Sequence, residues 1–241
     1  MLKRIEDYNK VLPILELYTA VQSEGSRQGY PTIVVRTSGC THRCYFGEGG
    51  WCDSWYTSIH PEKGKYSFQD IIDMYDANPH ISEMMLTGGS PTMHPKIVNE
   101  LTHLANERDI FITIETEGSH FLPTDYPINL LSISPKFSNS VPQIGVATPQ
   151  GAITDQKMID RHNKFRVNKD AIKKSIDYHS DYHIKPVLDK NLSMVKEVEE
   201  FLKDLEIPDN KVWAMPAGDD REALFESYGP VMNFVRDRGW R

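Results

Sequence analysis

The sequence predicts an α/β fold built on a mostly parallel sheet, and three observations carry that expectation. Short β-branched apolar runs alternate with amphipathic helical stretches along the chain, the order that produces parallel pairing through helical crossovers. Glycine, cysteine and acidic residues cluster just after those runs, where the carboxyl ends of parallel strands form the working face of such folds. The length, 241 residues with 39% hydrophobic side chains, suffices for one large core, so a single domain over 1–241 is expected. Six or so strand–helix units fit a partial (β/α) barrel or a doubly wound sheet, and periodicity does not separate the two.

Taken in order, residues 14–21 and 32–36 read as strands. Ser67 and Asp70 mark a capped helix start leading into Ile71, Ile72 and Met74. Residues 83–87 form a short apolar strand stopped by Gly88 and Gly89. The helix after it opens at Pro95 and carries Ile97, Val98, Leu101, Leu104 and Ala105 on one face. Residues 110–115 and 130–134 read as two more strands. In the second half, 164–167 reads as a strand, 171–178 as a helix and 182–188 as a strand. Val195, Val198, Leu202 and Leu205 make a helical stripe, and a strand at 211–215 runs into a final helix through Leu224, Phe225, Tyr228 and Met232.

A net charge of −7 provides no bulk field for a phosphate backbone, which argues against direct nucleic-acid binding. No apolar run approaches the ~20 residues of a membrane span, and the start, Met1 to Asp7, has no apolar signal core. A cytoplasmic protein without a membrane partner is expected.

The three cysteines, Cys40, Cys44 and Cys52, fall in one short segment. An odd count cannot close a disulfide set, and clustering in a reducing compartment points to metal chemistry. A cubane iron–sulfur cluster has four irons, each normally taking one thiolate. Three cysteines leave one iron open to chelate the amino and carboxylate groups of S-adenosylmethionine. An electron passed into the sulfonium then breaks a carbon–sulfur bond and releases a 5′-deoxyadenosyl radical, chemistry that belongs to the cofactors. Zinc, with His42 as fourth ligand, is the rival reading. Inert buried cysteines fit poorly with the polar, glycine-rich stretch 41–50.

Several short motifs stand in order on the strand ends. They are residues 16–25, which end Val21-Gln22-Ser23-Glu24-Gly25; residues 32–40, which deliver Arg36 and Cys40; Trp51-Cys52-Asp53-Ser54; Thr87-Gly88-Gly89-Ser90-Pro91; Glu115-Thr116-Glu117-Gly118; and Ser134-Pro135-Lys136. Together, over about residues 15–218, they resemble the 7-carboxy-7-deazaguanine synthase family of the radical S-adenosylmethionine superfamily. The resemblance implies a partial (β/α) barrel and a carbon–nitrogen lyase that turns 6-carboxy-5,6,7,8-tetrahydropterin into 7-carboxy-7-deazaguanine and ammonia, for 7-deazapurine (queuosine-type) biosynthesis. It implies a [4Fe–4S] cluster on Cys40, Cys44 and Cys52, and S-adenosylmethionine against Gly88, Gly89, Ser134, Pro135 and Lys136. It also implies Mg2+ at Ser54 and the substrate at Val21, Gln22, Ser23, Glu24, Arg36 and Thr87. Arg36 would clamp the substrate carboxylate with its planar fork. No catalytic side chain is assigned beyond the cluster and the radical. An electron donor such as flavodoxin and a homodimer follow from the resemblance alone.

Plainer readings stand beside these: a strand-end salt bridge for Arg36, a turn serine for Ser54, and a strand-to-helix turn for the two glycines. The chain also departs from the family pattern. Seven residues separate Cys44 from Cys52, with Gly47, Gly49 and Gly50 among them; Ser23 replaces a glycine; Ser90 stands where glutamate is frequent; and Ala217 stands where a Met-Pro-Glu-Gly-like turn would carry one. The chain ends at Gly239-Trp240-Arg241, where the family typically continues into one more strand bearing a histidine near the substrate, so the expectation is either a truncated end or a pocket completed differently, as by a partner subunit. Two other functions share some of these features. A radical activase acting on a protein partner would need an open barrel, and a zinc- or cluster-bearing interaction module would not cleave S-adenosylmethionine.

Overall fold

The computed structural model describes residues 2–47, 50–218 and 220–241, so Met1 and the loop glycine Gly49 lie outside the described residues. Six strands, β1 (Ile14–Val21), β2 (Pro31–Thr37), β3 (Glu83–Gly88), β4 (Phe111–Thr116), β5 (Leu130–Ile133) and β6 (Tyr182–Ile184), form one sheet in chain order. β1 runs antiparallel to β2, and β2 through β6 are parallel. A doubly wound sheet reverses its strand order at a switch point; this one never does. The loop leaving β1 at one edge also touches β6 at the other, where a Cβ on Gly25 would come 2.5 Å from the His183 ring. The sheet therefore curls into a partial barrel, as expected. A separate parallel pair, β7 (Val187–Leu188) and β8 (Met215–Pro216), follows it.

The sheet's two faces follow from the period-two alternation of strands. Ile33 and Val35, Met84 and Leu86, Ile112 and Ile114, and Leu131 and Ile133 point to a helical layer and form the core with it. That layer comprises α2 (Phe68–Ala77), α3 (Pro95–Arg108), α5 (Lys169–Tyr178), α6 (Val195–Asp204) and α7 (Arg221–Arg238); α1 (Trp55–Ser58) and α4 (Gln156–Phe165) lie beside the cysteine loop. The expected stripe of α3, Ile97 to Ala105, is buried.

The start of α2 shows how local chemistry sets a boundary. Asp70 N–H donates to Ser67 Oγ at 3.2 Å and Ser67 N–H donates to Asp70 Oδ2 at 2.7 Å. This reciprocal pair satisfies two otherwise orphaned amides.

Three elements of the second half differ from the sequence expectation. Residues 164–167 are not a strand: 164 and 165 end α4, where Met158, His162 and Phe165 recur at helical spacing and Asp155 caps the first turn through Met158 N at 2.8 Å. The run 182–188 breaks into β6 and β7 because Pro186 has no N–H for a continuous ladder. In place of a strand at 211–215, a 3-10 turn covers Asp209–Lys211 and only Val212 bridges to Ile184 before β8. On α7 the buried face is Ser227, Val231 and Val235, while Leu224, Phe225, Tyr228 and Met232 are exposed. Among the described residues, no helix is long and apolar enough to cross a membrane.

Ser67→Ala should lower the unfolding free energy by about 1 kcal/mol, and Ser67→Thr should retain most of it. Urea unfolding of the two variants checks this; equal midpoints for Ser67→Ala and the parent would show that the cap is dispensable.

Candidate active site

The cysteine loop leaves the carboxyl end of β2 and is fixed by backbone bonds. Ser38 N–H donates to Pro13 O at 2.9 Å, Gly39 N–H to Thr57 O at 2.7 Å, and Tyr45 N–H to Ser140 O at 2.9 Å. The described ends of the long spacing between Cys44 and Cys52 pair with each other as in a small hairpin. Tyr45 bridges Trp51 in antiparallel fashion with ring centroids 5.0 Å apart, and Phe46 N–H donates to Gly50 O at 2.8 Å. Gly50 turns at φ +69°, a region that favours glycine. At the base of the hairpin Cys52 N–H donates to Cys44 O at 3.1 Å, so the excursion returns Cys52 to the side of Cys44.

Cys40 and Cys44 are buried and Cys52 is half-buried. Burial pushes all three thiols up, Cys44 to about 12; neighbouring cysteine charges add to this at Cys40 and Cys44 and Asp53 adds to it at Cys52, while Lys136 pulls Cys44 and Cys52 back. Such thiols give up their protons when a metal takes the thiolate's charge. Among the described residues, one acid, histidine and cysteine group gathers its donor atoms within 4.8 Å: Cys40, His42 and Glu117. Cys40 feels the charges of both Cys44 and Cys52, so the three free thiols face one another, the three-sulfur donor set that a cubane cluster with one open iron takes.

The neighbouring strand ends close around this loop. Gly89 N–H donates to Thr37 O at 3.2 Å and Ser90 N–H to Gly39 O at 2.7 Å. A Cβ on Gly88 would meet Thr37 O at 2.2 Å and one on Gly89 would meet Gly39 O at 2.3 Å, so the two glycines let β3 press against the cysteine loop. After β5, Ser134 N–H donates to Thr116 O at 2.8 Å, Pro135 is buried, and Lys136 Nζ donates to Ser134 Oγ at 2.8 Å. Ser54 precedes α1 at the N-cap position without a side-chain capping bond, and its hydroxyl donates to Asp53 Oδ1 at 3.1 Å.

The face opposite the helices carries one polar row. Register sets Glu16 beside Arg36 and Arg36 beside Thr87, then Glu115 beside Ser132 and Ser132 beside His183. Thr87 Oγ1 donates to Glu115 Oε2 at 3.1 Å, joining the two halves. Arg36 is engaged: its Nε donates to Glu16 Oε2 at 2.6 Å, and Tyr56 OH donates to Glu16 Oε1 at 2.8 Å. The plain strand-pair reading of Arg36 is thus realised, with Glu16 held at Nε rather than across the fork.

From the β1–β2 loop, Glu24 reaches Lys185 Nζ at 2.5 Å, and the same ammonium meets Glu115 at 2.7 Å. Burial alone would raise Glu115, but Lys185 holds its carboxyl below the usual range; burial would lower Lys185, and the two carboxylates hold it up. Gln22 is buried, and among the described residues its Oε1 has no hydrogen-bond partner. Val21 and Ser23 on either side are exposed.

Sequence reasoning missed Lys185 and His183. The one available signal was their position at the end of a strand, followed by Pro186. It also gave no individual role to Glu115 or Glu117, although both stand in a motif it noted.

The radical SAM superfamily model matches residues 34–205 of this chain. A 7-carboxy-7-deazaguanine synthase from Halobacterium salinarum is 34% identical over 95% of this chain and 86% of its own length. The chain belongs to the 7-carboxy-7-deazaguanine synthase family of radical SAM enzymes. Another such synthase, from Rhodopirellula baltica, is 30% identical over 88% of this chain and 76% of its own. The crystal structure of QueE from Escherichia coli superposes with a TM-score of 0.60 at 19% identity, covering 95% of this chain and 91% of that one, and so supports the fold.

As a radical SAM lyase of this family, the protein works with a [4Fe–4S] cluster and S-adenosylmethionine, acts on a small molecule and draws electrons from a reductant. In this synthase the cysteine loop and the Gly88-Gly89 turn lie at the carboxyl ends of β2 and β3, and the polar row runs along the inner face beside them.

Burial, with the Lys185 ammonium adding to it, pushes His183 down to about 4, against about 6.5 in an unfolded chain. Between those values the unfolded chain binds the extra proton, so stability rises with pH there and is lost as pH falls from about 6.5 towards 4. Unfolding free energies at pH 7 and pH 5 should differ by about 2 kcal/mol from this group, and His183→Gln should remove that part of the difference. An unchanged pH slope in His183→Gln would refute the assignment.

Proposed function

We propose that the protein converts 6-carboxy-5,6,7,8-tetrahydropterin to 7-carboxy-7-deazaguanine with release of ammonia, in 7-deazapurine biosynthesis. The observation that carries this reading is the closed inner face. The loop from the first strand is tied to the last strand by Glu24 and Lys185, with Gln22 buried beneath and its acceptor oxygen unpartnered. A buried amide oxygen without a donor costs about 1–3 kcal/mol, a cost that a ligand N–H would remove. A pterin's aminopyrimidinone edge presents such donors, and Gln22 Oε1 and the Glu24 carboxylate are acceptors for them. The tie across the opening also favours a small substrate over a protein partner.

Within this reading Cys40, Cys44 and Cys52 would hold the cluster, which would supply the one-electron reduction that radical chemistry with S-adenosylmethionine needs. Gly88 and Gly89 present backbone to the methionine end, and Ser134, Pro135 and Lys136 line the opposite side. Backbone around Val21 and Ser23 meets the pterin edge, Thr87 faces the ring beside Glu115, and Arg36 turns its terminal nitrogens to the substrate carboxylate while Glu16 holds Nε. Ser54 and the adjoining Asp53 offer the oxygen ligands that Mg2+ prefers. The working form is a single-domain chain in a cytoplasmic homodimer, reduced by a carrier such as flavodoxin.

Anaerobic reconstitution followed by incubation with the carboxylated tetrahydropterin and S-adenosylmethionine tests the reaction, with product mass as the readout. Cys52→Ala should abolish the cluster, because two irons would then lack a protein ligand. Stoichiometric zinc uptake with no iron in the parent would overturn the cluster reading. Arg36→Lys should lower kcat/KM about tenfold to hundredfold, corresponding to roughly 1.5–3 kcal/mol for a hydrogen bond to a charged group, with iron content unchanged. Parental turnover in Arg36→Lys would remove the clamp from the mechanism.

A further inference from the structure

Behind the cysteine loop lies a carboxylate to which the reaction above assigns no role. Glu117, the residue after β4, is 5% exposed. Its Oε1 accepts from Ser90 Oγ at 2.7 Å, from Thr41 Oγ1 at 3.1 Å and from Ser119 Oγ. Hydroxyl donors converging on one oxygen mark it as an ionised acceptor. Among the described residues the basic group beside it is the His42 ring at 3.7 Å, an ion pair only when that ring is protonated, and no lysine or arginine is paired with the carboxylate. The three hydroxyls come from three separate places: Thr41 lies between Cys40 and Cys44, Ser90 directly follows Gly88 and Gly89, and Ser119 lies beyond β4. A Glu117 carboxylate oxygen also lies within 4.8 Å of Cys40 Sγ.

We propose that Glu117 is a positioning residue for the cluster: it pins the Cys40–Cys44 turn to the ends of β3 and β4, and its negative charge makes the cluster harder to reduce. The inference rests on the reading that Cys40, Cys44 and Cys52 hold a [4Fe–4S] cluster. Charge near a ligand sulfur in a dry site acts at close range and with little screening, and local charge and hydrogen bonding are among the factors that set cluster potentials. Glutamine at 117 keeps an acceptor for the hydroxyls and removes the charge. The double variant Ser90→Glu/Glu117→Ser moves the carboxylate across its own 2.7 Å hydrogen bond to the neighbouring strand end.

The experiment measures iron, sulfide and the cluster's midpoint potential in the anaerobically reconstituted parent and in both variants. Glu117→Gln should retain iron and be easier to reduce, with the reduced-to-oxidised ratio at a fixed potential raised at least tenfold, about 59 mV for one electron. The swap should retain iron and return the ratio to within about threefold of the parent. If Glu117→Gln keeps its iron and its ratio stays within threefold of the parent, the proposal is overturned. Loss of iron from both variants also overturns it, since placing the charge would then not matter. Loss of iron from Glu117→Gln alone, with a parent-like swap, supports it. A parent that binds no iron fails the cluster reading itself, a result distinct from an iron-bearing series in which Glu117 has no effect.

Discussion

A buried ammonium between two carboxylates holds the inner face of this half-barrel together. Lys185 leaves the end of β6 and meets Glu115 from β4 and Glu24 from the loop after β1, so one side chain joins the middle of the sheet to both of its edges. Moving such charges out of water costs several kcal/mol per ion, and close pairing roughly offsets that. The net contribution to stability is therefore small, but removing one partner leaves an uncompensated buried charge and is strongly unfavourable. What the triad provides is geometry, because Lys185 fixes Glu24 and Glu115 on either side of it and holds the Glu115 carboxyl below its usual range. The partly exposed Glu24 is the easier of the two to detach, which makes the β1–β2 loop the natural side for a ligand to enter.

The rest of the polar row follows from strand register. In a parallel sheet covered by helices on one side, alternate residues must face the other way. Arg36, Thr87, Glu115, Ser132 and His183 fall on that side because Val35, Leu86, Ile114, Ile133 and Ile184 next to them are committed to the core. The apolar sequence therefore determines where the polar chemistry lies. A one-residue slip of any strand would turn its polar member into the helical layer, so the site and the core cannot be varied independently.

Much of this was legible in the chain. The strand from 32 to 36, the cap at Ser67, the stripe of α3 and the motif order at strand ends all depend on neighbours within a few residues, and local rules read them correctly. The misreadings share a cause. Residues 164–167 contain Phe165 and Val167, which suit a strand, but the helical spacing of Met158, His162 and Phe165 continues from a cap ten residues earlier. Proline at 186 was visible, yet its effect on a strand depends on which neighbour that stretch pairs with. Lys185 was the hardest to foresee: a lysine at a strand end usually points to water, and its partner Glu24 is 161 positions away.

The cysteine spacing shows how a rule based on counting residues gives way to one based on geometry. A cluster requires that its thiolates converge, not that a fixed number of residues separate them. Here the Tyr45–Trp51 bridge and the Cys52-to-Cys44 backbone bond close the excursion at its base, so the residues beyond that bridge do not affect where Cys52 arrives. Gly39 is instead held directly to the neighbouring strand end by the Ser90 N–H bond to its carbonyl. The glycine contacts of 2.2 and 2.3 Å that a Cβ would create lie on the strand side, where backbone meets backbone and nothing can yield. At the hairpin the observed constraints are the Tyr45–Trp51 bridge and the backbone bonds that close it. Sequence variation in this loop should therefore collect between Tyr45 and Trp51, while Gly88 and Gly89, where a Cβ would strike the backbone of Thr37 and Gly39, tolerate little.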